Sequence, residues 1–357
     1  MIRLAVVAPL GNRCGIADYA RLLAETLPAD FDIQWIDLSA SIWADRWRAA
    51  TRCANKADLV HLHYETNLFA PVKPYRNRFT AFLKPLRVPV VVTLHDQPPE
   101  LAPRWRTERP YPLRDLLRDL AYLPFFRHWD AQQYAHASHW IAHTEELAHR
   151  VARYVAPERV TFVQMPVPKS SVRWTPDAAV PYSLITPGFI KAHKGYEDLL
   201  EVLAERPSWQ WMIAGGPQND ADEEYCTELK RQIGRLNVQN RVTITGYLSR
   251  DAMEQNLAKA TLAVFPFRRT AGSSSVAWAV ALGTPVAATA LPALCSMRQA
   301  GAGIETLSPD DKATWAETLD NLLDDPDRLL SLSEKNIEYA GAWSYAHLGS
   351  QMASLFQ

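Results

Sequence analysis

The chain has 357 residues, enough for two domains, and its 48% hydrophobic and 22% charged residues are typical of a soluble globular protein. A formal net charge of −1 gives no reason to expect nucleic acid as a partner. The four cysteines lie far apart, which argues against a zinc site and indicates reduced thiols in a cytoplasmic protein. No apolar run reaches the roughly 18 residues of a membrane-spanning helix.

Short apolar runs alternate with helical stretches through the first half of the chain. The predicted strands are 2–9, 31–38, 58–64, 89–96, 140–144 and 160–165. Helical periodicity is found between them, for example at 16–27 and 113–120. This alternation predicts an α/β fold with a parallel sheet covered on both faces by helices.

The same alternation returns in the second half, after a proline-rich stretch at 166–181 that we interpret as an interdomain linker. The second set of predicted strands is 183–189, 208–214, 241–247, 261–267 and 285–290. We therefore predict two doubly wound, Rossmann-like domains, 1–170 and 171–340, whose strand carboxyl ends face each other across a cleft. Residues 341–357 are predicted to form a final helix that crosses back to the first domain.

Candidate ligand contacts in the first half follow the predicted strands. Gly11 and Gly15 flank the loop after the first strand and allow close backbone approach to a ligand, although such glycines also make plain tight turns. His95 ends the strand at 89–96, and His61 and His63 lie near the end of the neighbouring one. Since open parallel sheets bind ligands at these ends, His95 is the favoured functional histidine, and His63 is equally compatible with a structural role.

Two features of the second half indicate an anion site. Lys191 and Lys194 lie just before a predicted helix, where cations beside free helix N–H groups suit a diphosphate. A second helix begins after Gly272 with three serines, Ser273, Ser274 and Ser275. Serine is a good helix N-cap, so these residues either only cap the helix or also hold phosphate.

Several ordered motifs resemble the family-4-type glycosyltransferases of the GT-B fold. They are GFIKAHKGYEDLLEVL, RVTITGYLSRDAMEQNLAKATLAVFPF, ALGTPVAAT and GIETLSPDDKATWAETLDNLLDDPDRL in the second half, with CGIADYA, TLHD and WIAHTEELAHRV in the first. The resemblance runs over nearly the whole chain. It implies a nucleotide-sugar donor such as a UDP- or GDP-sugar on the second domain, an acceptor on the first, and transfer with retention and without an obligatory metal or cofactor.

The resemblance also implies roles for particular residues. His95 would contact the donor sugar, Lys194 would neutralise the diphosphate with Lys191 matching by charge only, and the Gly15 loop would lie under the diphosphate and acceptor. Donor contacts would also come from the main chain around Tyr247 and Leu248 and from the loop 270–275, including Thr270 and Gly272, whereas Cys14, His63, Tyr64 and Asp96 would lie on the acceptor side.

One departure from the family is clear. The family typically carries two glutamates, one holding sugar hydroxyls and one the ribose, and the equivalent positions here are Thr270 and Trp278. Neither is a charged acceptor. Hydroxyl groups of the loop are an alternative way to bind part of the donor, but an indole does not replace a bidentate ribose contact. The departure leaves the donor, and in principle activity, open.

The acceptor side is less specific. Residues 101–130 mix six arginines with aromatic residues, which favours either an anionic membrane surface or lipid-pyrophosphate acceptor, or a solvated helix whose apolar side packs into the core. We expect a cytoplasmic glycosyltransferase of bacterial-type surface polysaccharide or glycolipid synthesis, with the inner face of the membrane as one location. The alternatives are a nucleotide-sugar epimerase, for which Glu65 and Asp96 are the only nearby carboxylates, and a non-catalytic sugar-nucleotide-binding protein.

Overall fold

The computed structural model describes residues 1–11, 14–38, 47–70, 77–101 and 113–357. The chain divides into two compact units, the first made of Met1–Val163 with Gly349–Gln357 and the second of Gln164–Leu348. Each unit is built on one six-stranded parallel sheet with helices, so the predicted α/β class is confirmed.

The sheet of the first unit has the strand order β2-β1-β3-β4-β5-β6. Its strands are β1 Ile2–Ala8, β2 Phe31–Asp37, β3 Leu59–Tyr64, β4 Val90–Leu94, β5 His139–Ala142 and β6 Val160–Phe162. The helices described in this part of the chain are α1 Gly15–Ala24, α2 Trp47–Ala54, α3 Arg78–Leu83, α4 Leu113–Ala121, α5 Phe126–Ala135 and α6 Glu145–Val151. Every residue of the central strands β3 and β4 is buried, as expected when both faces of a parallel sheet are covered.

The sheet of the second unit has the order β12-β11-β10-β7-β8-β9. Its strands are β7 Val180–Pro187, β8 Gln210–Ala214, β9 Val242–Ile244, β10 Ala260–Phe265, β11 Val286–Thr289 and β12 Ile304–Leu307. Its helices are α7 Tyr196–Ala204, α8 Asp220–Arg235, α9 Arg250–Lys259, α10 Ser274–Leu282, α11 Pro292–Gln299, α12 Ala313–Leu323 and α13 Pro326–Ala342, followed by α14 Tyr345–Phe356 at the end of the chain. Every residue of the central strand β10 is buried.

The proline-rich stretch 166–181 lies inside the second unit and is not a linker between the units. Trp174 anchors it: the indole is 5% exposed, and its Nε1 donates a hydrogen bond to the carbonyl of Ala260 at 2.8 Å. The passage between the units falls at Val163–Gln164. The prolines make the stretch irregular, as a linker would be, but the burial of Trp174 fixes it to the core of the second unit.

The last helix, α14, is assigned in part to each unit, because residues from Gly349 onwards belong to the first. There Phe356 lies against Phe31 and His61, with ring centroids 6.0 and 5.3 Å apart. A Cβ on Gly349 would come within 2.3 Å of Oγ1 of Thr26, so this glycine permits the close packing of the helix.

Eleven of the twelve strands coincide with predicted ones to within a few residues at each end. The strand that sequence analysis missed is β12, Ile304–Leu307. It has only four residues, two of them the polar Glu305 and Thr306, so its apolar pattern is too short to separate it from a loop.

A buried amide holds together the end of α10 and the start of β12. The side chain of Asn336, on α13, is fully buried; its Nδ2 donates to the carbonyls of Thr284 and Gly303 at 3.0 and 3.3 Å, and its Oδ1 accepts from the N–H of Gly303 at 2.8 Å. These bonds satisfy main-chain groups that no water reaches, and such groups are costly to leave unpaired.

We therefore predict that Asn336→Leu lowers the free energy of unfolding of the second unit by about 2–4 kcal/mol, because it leaves buried peptide groups without partners. Urea denaturation followed by circular dichroism measures the change. The exposed neighbour Lys335 offers a matched control, and Lys335→Leu should stay within about 0.5 kcal/mol of the parent. Equal loss of stability in both variants would contradict the prediction.

Candidate active site

Three adjacent strands of the first unit bring histidines together at their carboxyl ends. His63 lies on β3, His95 directly follows β4 and His143 directly follows β5. The main-chain N–H of His95 bonds to the carbonyl of Tyr64 at 2.9 Å, which carries the pairing of β3 and β4 one residue further. Consequently Nδ1 of His63 lies 2.9 Å from Nε2 of His95, a hydrogen bond between two imidazoles.

The phenol ring of Tyr19 from α1 packs on all three histidines. Its centroid is 4.7 Å from that of His95, 5.6 Å from His63 and 5.4 Å from His143. His143 is fixed in turn because its Nδ1 donates to the carbonyl of Val163 at 3.0 Å. We call these four side chains, Tyr19, His63, His95 and His143, the histidine cluster.

Burial keeps the imidazoles of this region uncharged. It lowers the pKa of His63 and His95 well below the ordinary value, and that of His143 to about 4. The histidines also disfavour charge on one another. At neutral pH His95 therefore serves as a neutral hydrogen-bonding group. Among the described residues, no group of three or more histidine, cysteine or acidic side chains is arranged to hold a metal ion.

The other first-unit residues singled out from the sequence are spread over different environments. Cys14 and Gly15 begin α1, and Asp96 is partly buried with its Oδ1 accepting from the N–H of Gln97 at 2.8 Å. Tyr64 is different, because its side chain is fully buried and stacks on Phe69 with centroids 5.4 Å apart. Tyr64 is a core residue, which corrects its assignment to the acceptor side.

In the second unit, Lys194 and the start of α10 meet at Gly188. A Cβ placed on Gly188 would lie 2.7 Å from Nζ of Lys194, 3.4 Å from Cβ of Ser275 and 3.5 Å from its Oγ. Lys194 is positioned by a short 3-10 turn after β7, which ends at Gly195 with φ 66°, a conformation that favours glycine. The ammonium group and the first turn of α10 thus border one small space.

The serines at the start of α10 are a helix cap at this same place. Ser273 is the N-cap residue, and its Oγ accepts from the N–H of Val276 at 3.4 Å and lies 2.9 Å from Oγ of Ser275. Thr270 closes the preceding loop, with its Oγ1 donating to the carbonyl of Gly272 at 2.7 Å and accepting from its N–H at 3.2 Å. Ser274 is the first helical residue. The cap leaves the remaining first-turn N–H groups available for an anion.

The charge of Lys194 has no acidic partner among the described residues. Burial lowers its pKa to about 7, with a further contribution from the positive charge of Lys191. The ammonium lies 5.2 Å from the ring centroid of Phe267, a contact that stabilises its charged form weakly. An anionic ligand would supply the counter-charge for this partly buried cation and would accept from the helix N–H groups beside it.

Aromatic side chains continue the surface on the other side of Gly188. The ring of Phe189 is 5.9 Å from that of Tyr247 and also 5.9 Å from Nζ of Lys191, and a Cβ on Gly216 would touch the Tyr247 ring at 3.3 Å. Leu248, the next residue along the chain from Tyr247, is partly buried. The two rings meet edge to face at 68° and offer aromatic surface beside the cation, against which a nucleobase can pack.

Sequence analysis missed two parts of this site. One is the pair Gly188 and Gly215: a Cβ on Gly215 would come within 1.9 Å of the Gly188 carbonyl, so the two adjacent strand ends approach closely only because Gly215 has no side chain. The position of Gly215 directly after the predicted strand 208–214 was the available signal. The other is Arg250, whose guanidinium lies 4.4 Å from the ring of Trp278, a contact that no sequence pattern predicts.

Two family models match the chain. Glycosyltransferase Family 4 matches residues 15–170 and Glycosyl transferases group 1 matches residues 180–342, so that together they cover most of the sequence. With the two parallel α/β units, these matches show that the chain belongs to the glycosyltransferases of the GT-B fold, as its motifs predicted.

A D-inositol 3-phosphate glycosyltransferase of Thermobispora bispora is 27% identical over 222 residues, which cover 57% of this chain and 51% of that protein. The chain thus spans about half the length of this curated relative. Two solved structures share the fold. HepE of Anabaena, in complex with UDP and glucose, has a TM-score of 0.74 at 15% identity over 99% of both chains. Sucrose-phosphate synthase of Thermosynechococcus elongatus has a TM-score of 0.77 at 16% identity, covering 100% of this chain and 98% of that one.

The pKa of Lys194 leads to a prediction about proton linkage. An anion beside the ammonium raises that pKa above about 7, so binding of UDP at pH 8 should take up a proton, and affinity should fall as the pH rises past 7. At pH 6 the lysine is already charged and uptake should vanish. Titration calorimetry in two buffers of different ionisation enthalpy measures the protons bound.

Lys194→Met should remove the uptake at pH 8. His193 is the control, because burial lowers its pKa to about 4 and it lies next in the chain; His193→Gln should retain the uptake. Uptake that persists in Lys194→Met would show that another group binds the proton.

Proposed function

We propose that this protein is a retaining glycosyltransferase that moves a sugar from a nucleotide-sugar donor, such as a UDP- or GDP-sugar, to a glycan or lipid-linked acceptor. The observation that carries the proposal is the partly buried ammonium of Lys194 at the N-terminal end of α10, with no acidic partner among the described residues. A nucleotide diphosphate supplies the missing negative charge. The HepE structures with UDP and with UDP-glucose, on a protein of the same fold, support this class of donor.

The chemistry follows from charge. As the bond between sugar and diphosphate breaks, negative charge grows on the leaving phosphate, and Lys194 with the first-turn N–H groups of α10 stabilises it. In a front-face transfer with retention, that phosphate accepts the proton of the acceptor hydroxyl, so no pair of acid and base carboxylates is needed. Neutral His95, hydrogen-bonded to His63, contacts the hydroxyls of the transferred sugar.

The first test is turnover. The protein is incubated with a panel of UDP- and GDP-sugars, with and without glycan or lipid-extract acceptors, and free nucleoside diphosphate is followed. We expect release only with an acceptor, and we expect Lys194→Ala to lower turnover at least tenfold, since stabilising a leaving group is typically worth a few kcal/mol. Lys230→Ala, an exposed lysine on α8, is the matched control and should keep full turnover.

Other outcomes distinguish the alternatives. An interconverted sugar nucleotide would indicate an epimerase, and tight nucleotide binding without any reaction would indicate a non-catalytic binding protein. Unchanged turnover in Lys194→Ala would contradict the diphosphate site.

A surface of the first unit bears on the acceptor and on location. Large apolar side chains are exposed on α4 and the turn that follows it, a set we call the α4 face: Leu113 at 68%, Leu117 at 60%, Leu120 at 47%, Tyr122 at 40%, Leu123 at 46% and Phe125 at 50%. The first three recur at helical spacing on one side of α4. These side chains of α4 are therefore not packed into the core, which favours a membrane surface or lipid-linked acceptor over a solvated helix with a packed apolar side.

The charges around the α4 face suit an anionic partner. Arg114, Arg127 and His128 are exposed, whereas Asp119 is 5% exposed beside Arg118 and Asp130 is 5% exposed and hydrogen-bonded to Tyr154. Among these described side chains, the two carboxylates are thus buried and the basic groups are exposed to solvent. We propose that the α4 face rests on the anionic inner leaflet of a membrane, where lipid-linked acceptors of surface polysaccharide or glycolipid synthesis are found. The residues 102–112 that share the aromatic and basic composition lie outside the described part of the chain.

Such attachment would be peripheral. No helix in the described ranges is both long enough and apolar enough to cross a bilayer.

We predict that the protein co-sediments with vesicles containing about one third phosphatidylglycerol but not with pure phosphatidylcholine vesicles, and that added salt weakens binding. Leu117→Gln with Leu120→Gln should lower the affinity for the anionic vesicles about tenfold, because two apolar side chains no longer insert. Leu330→Gln, which changes an exposed leucine of the second unit, should have no effect. Self-association through the α4 face without vesicle binding would overturn the proposal.

A further inference from the structure

Trp278 lies on the same side of α10 as Ser275, the residue that borders the site around Lys194. Ser275 and Trp278 are three positions apart on the helix, so their side chains are neighbours on one face. Ser275 borders Gly188 and the ammonium of Lys194. The partly exposed indole therefore continues the wall of the site by one turn beyond the place where a diphosphate would be held.

Arg250 covers the indole with a second planar group. The guanidinium carbon is 4.4 Å from the ring centroid of Trp278. Its Nε donates to Oε1 of Glu254 at 2.9 Å and its Nη2 to the carbonyl of Lys169 at 3.1 Å. Oε2 of Glu254 also accepts from the hydroxyl of Ser170 at 2.8 Å, so this carboxylate, only 7% exposed, is fully engaged in holding the arginine.

Around Trp278 this wall offers no carboxylate or amide that would accept from both hydroxyls of a ribose diol. The helix α10, with sequence SSVAWAVAL, contains no acidic or amide side chain. Indole and guanidinium nitrogens are donors only, and Glu254 is already paired. A site discriminates strongly for a hydroxyl only when it is built to hydrogen-bond that hydroxyl, because its own polar groups are otherwise left unpaired.

We infer that the Arg250–Trp278 pair packs against the ribose of the donor, whose base would lie on the rings of Phe189 and Tyr247, and does not read the 2′-hydroxyl, so that 2′-deoxyribonucleoside diphosphate sugars are within the donor class of this protein. The inference rests on the proposed donor site beside Lys194. It concerns selectivity among donors, which the fold and the family membership leave open.

The test compares ligands that differ in one hydroxyl. Calorimetry measures the Kd of UDP against dUDP, and of GDP against dGDP, for the intact protein. For whichever base the protein binds, we expect the Kd of the ribonucleotide and the Kd of its deoxy form to agree within about threefold. Trp278→Glu should make the ribonucleotide at least tenfold tighter than its deoxy partner, because a carboxylate one turn from Ser275 can accept from both ribose hydroxyls.

Two further variants distinguish the loss of the contact between ligand and indole from a general loss of folding. Trp278→Phe keeps a planar ring and should bind both nucleotides as the parent does, whereas Trp278→Ala should weaken both by the same factor of about ten. A parent protein that binds UDP or GDP more than tenfold tighter than the deoxy form would overturn the inference and leave the proposed function standing. Binding of none of the four nucleotides would overturn both.

Discussion

An ammonium group held away from water without a counter-ion is the constraint on which the site in the second unit depends. Lys194 is partly buried, desolvation lowers its pKa to about 7, and no acidic residue in the described chain pairs with it. The other buried ionic groups of this unit are paired: Asp198 accepts from Arg268 at 3.0 Å and bonds to Lys312, and Glu254 holds Arg250. Because unpaired buried charge is costly, its persistence at one place indicates a ligand that arrives with the opposite charge.

The backbone makes this arrangement possible before any side chain contributes. Gly188 and Gly215 lie so close that a Cβ on either would meet an occupied position, and the ends of β7 and β8 therefore open onto Lys194 and Ser275 without a side chain between them. The serines at the start of α10 then have two roles, one in capping the helix and one in forming the site. Ser273 caps α10 through Val276, and the capped helix end, with its remaining N–H groups, faces the ammonium across Gly188.

The sequence predicted the order of strands and the place of the charged and hydroxyl groups, because strand ends, glycines and caps are local patterns. It also pointed to His63 and His95, which the structure brings together, since neighbouring parallel strands end at one edge. It misplaced Tyr64, whose burial depends on packing against Phe69 and against Phe79 of α3, and the linker, which Trp174 draws into the second core. It could not show the hydrogen bond between His63 and His95 or the stacking of Arg250 on Trp278, because both join residues about 30 positions apart.

The two clusters differ in the kind of group they provide, and this difference bears on mechanism. In the first unit burial makes the histidines neutral, so that His95 offers a hydrogen-bonding group without adding charge. In the second unit burial lowers the pKa of Lys194 to about 7, so that binding of an anion determines whether the lysine is charged at neutral pH. A transfer reaction requires both properties: a sugar that becomes positive in the transition state is best contacted by neutral groups, and a departing diphosphate by a cation. Trp278, where the family typically carries a glutamate, belongs to neither group, and we therefore infer that it affects donor selectivity and not the transfer step.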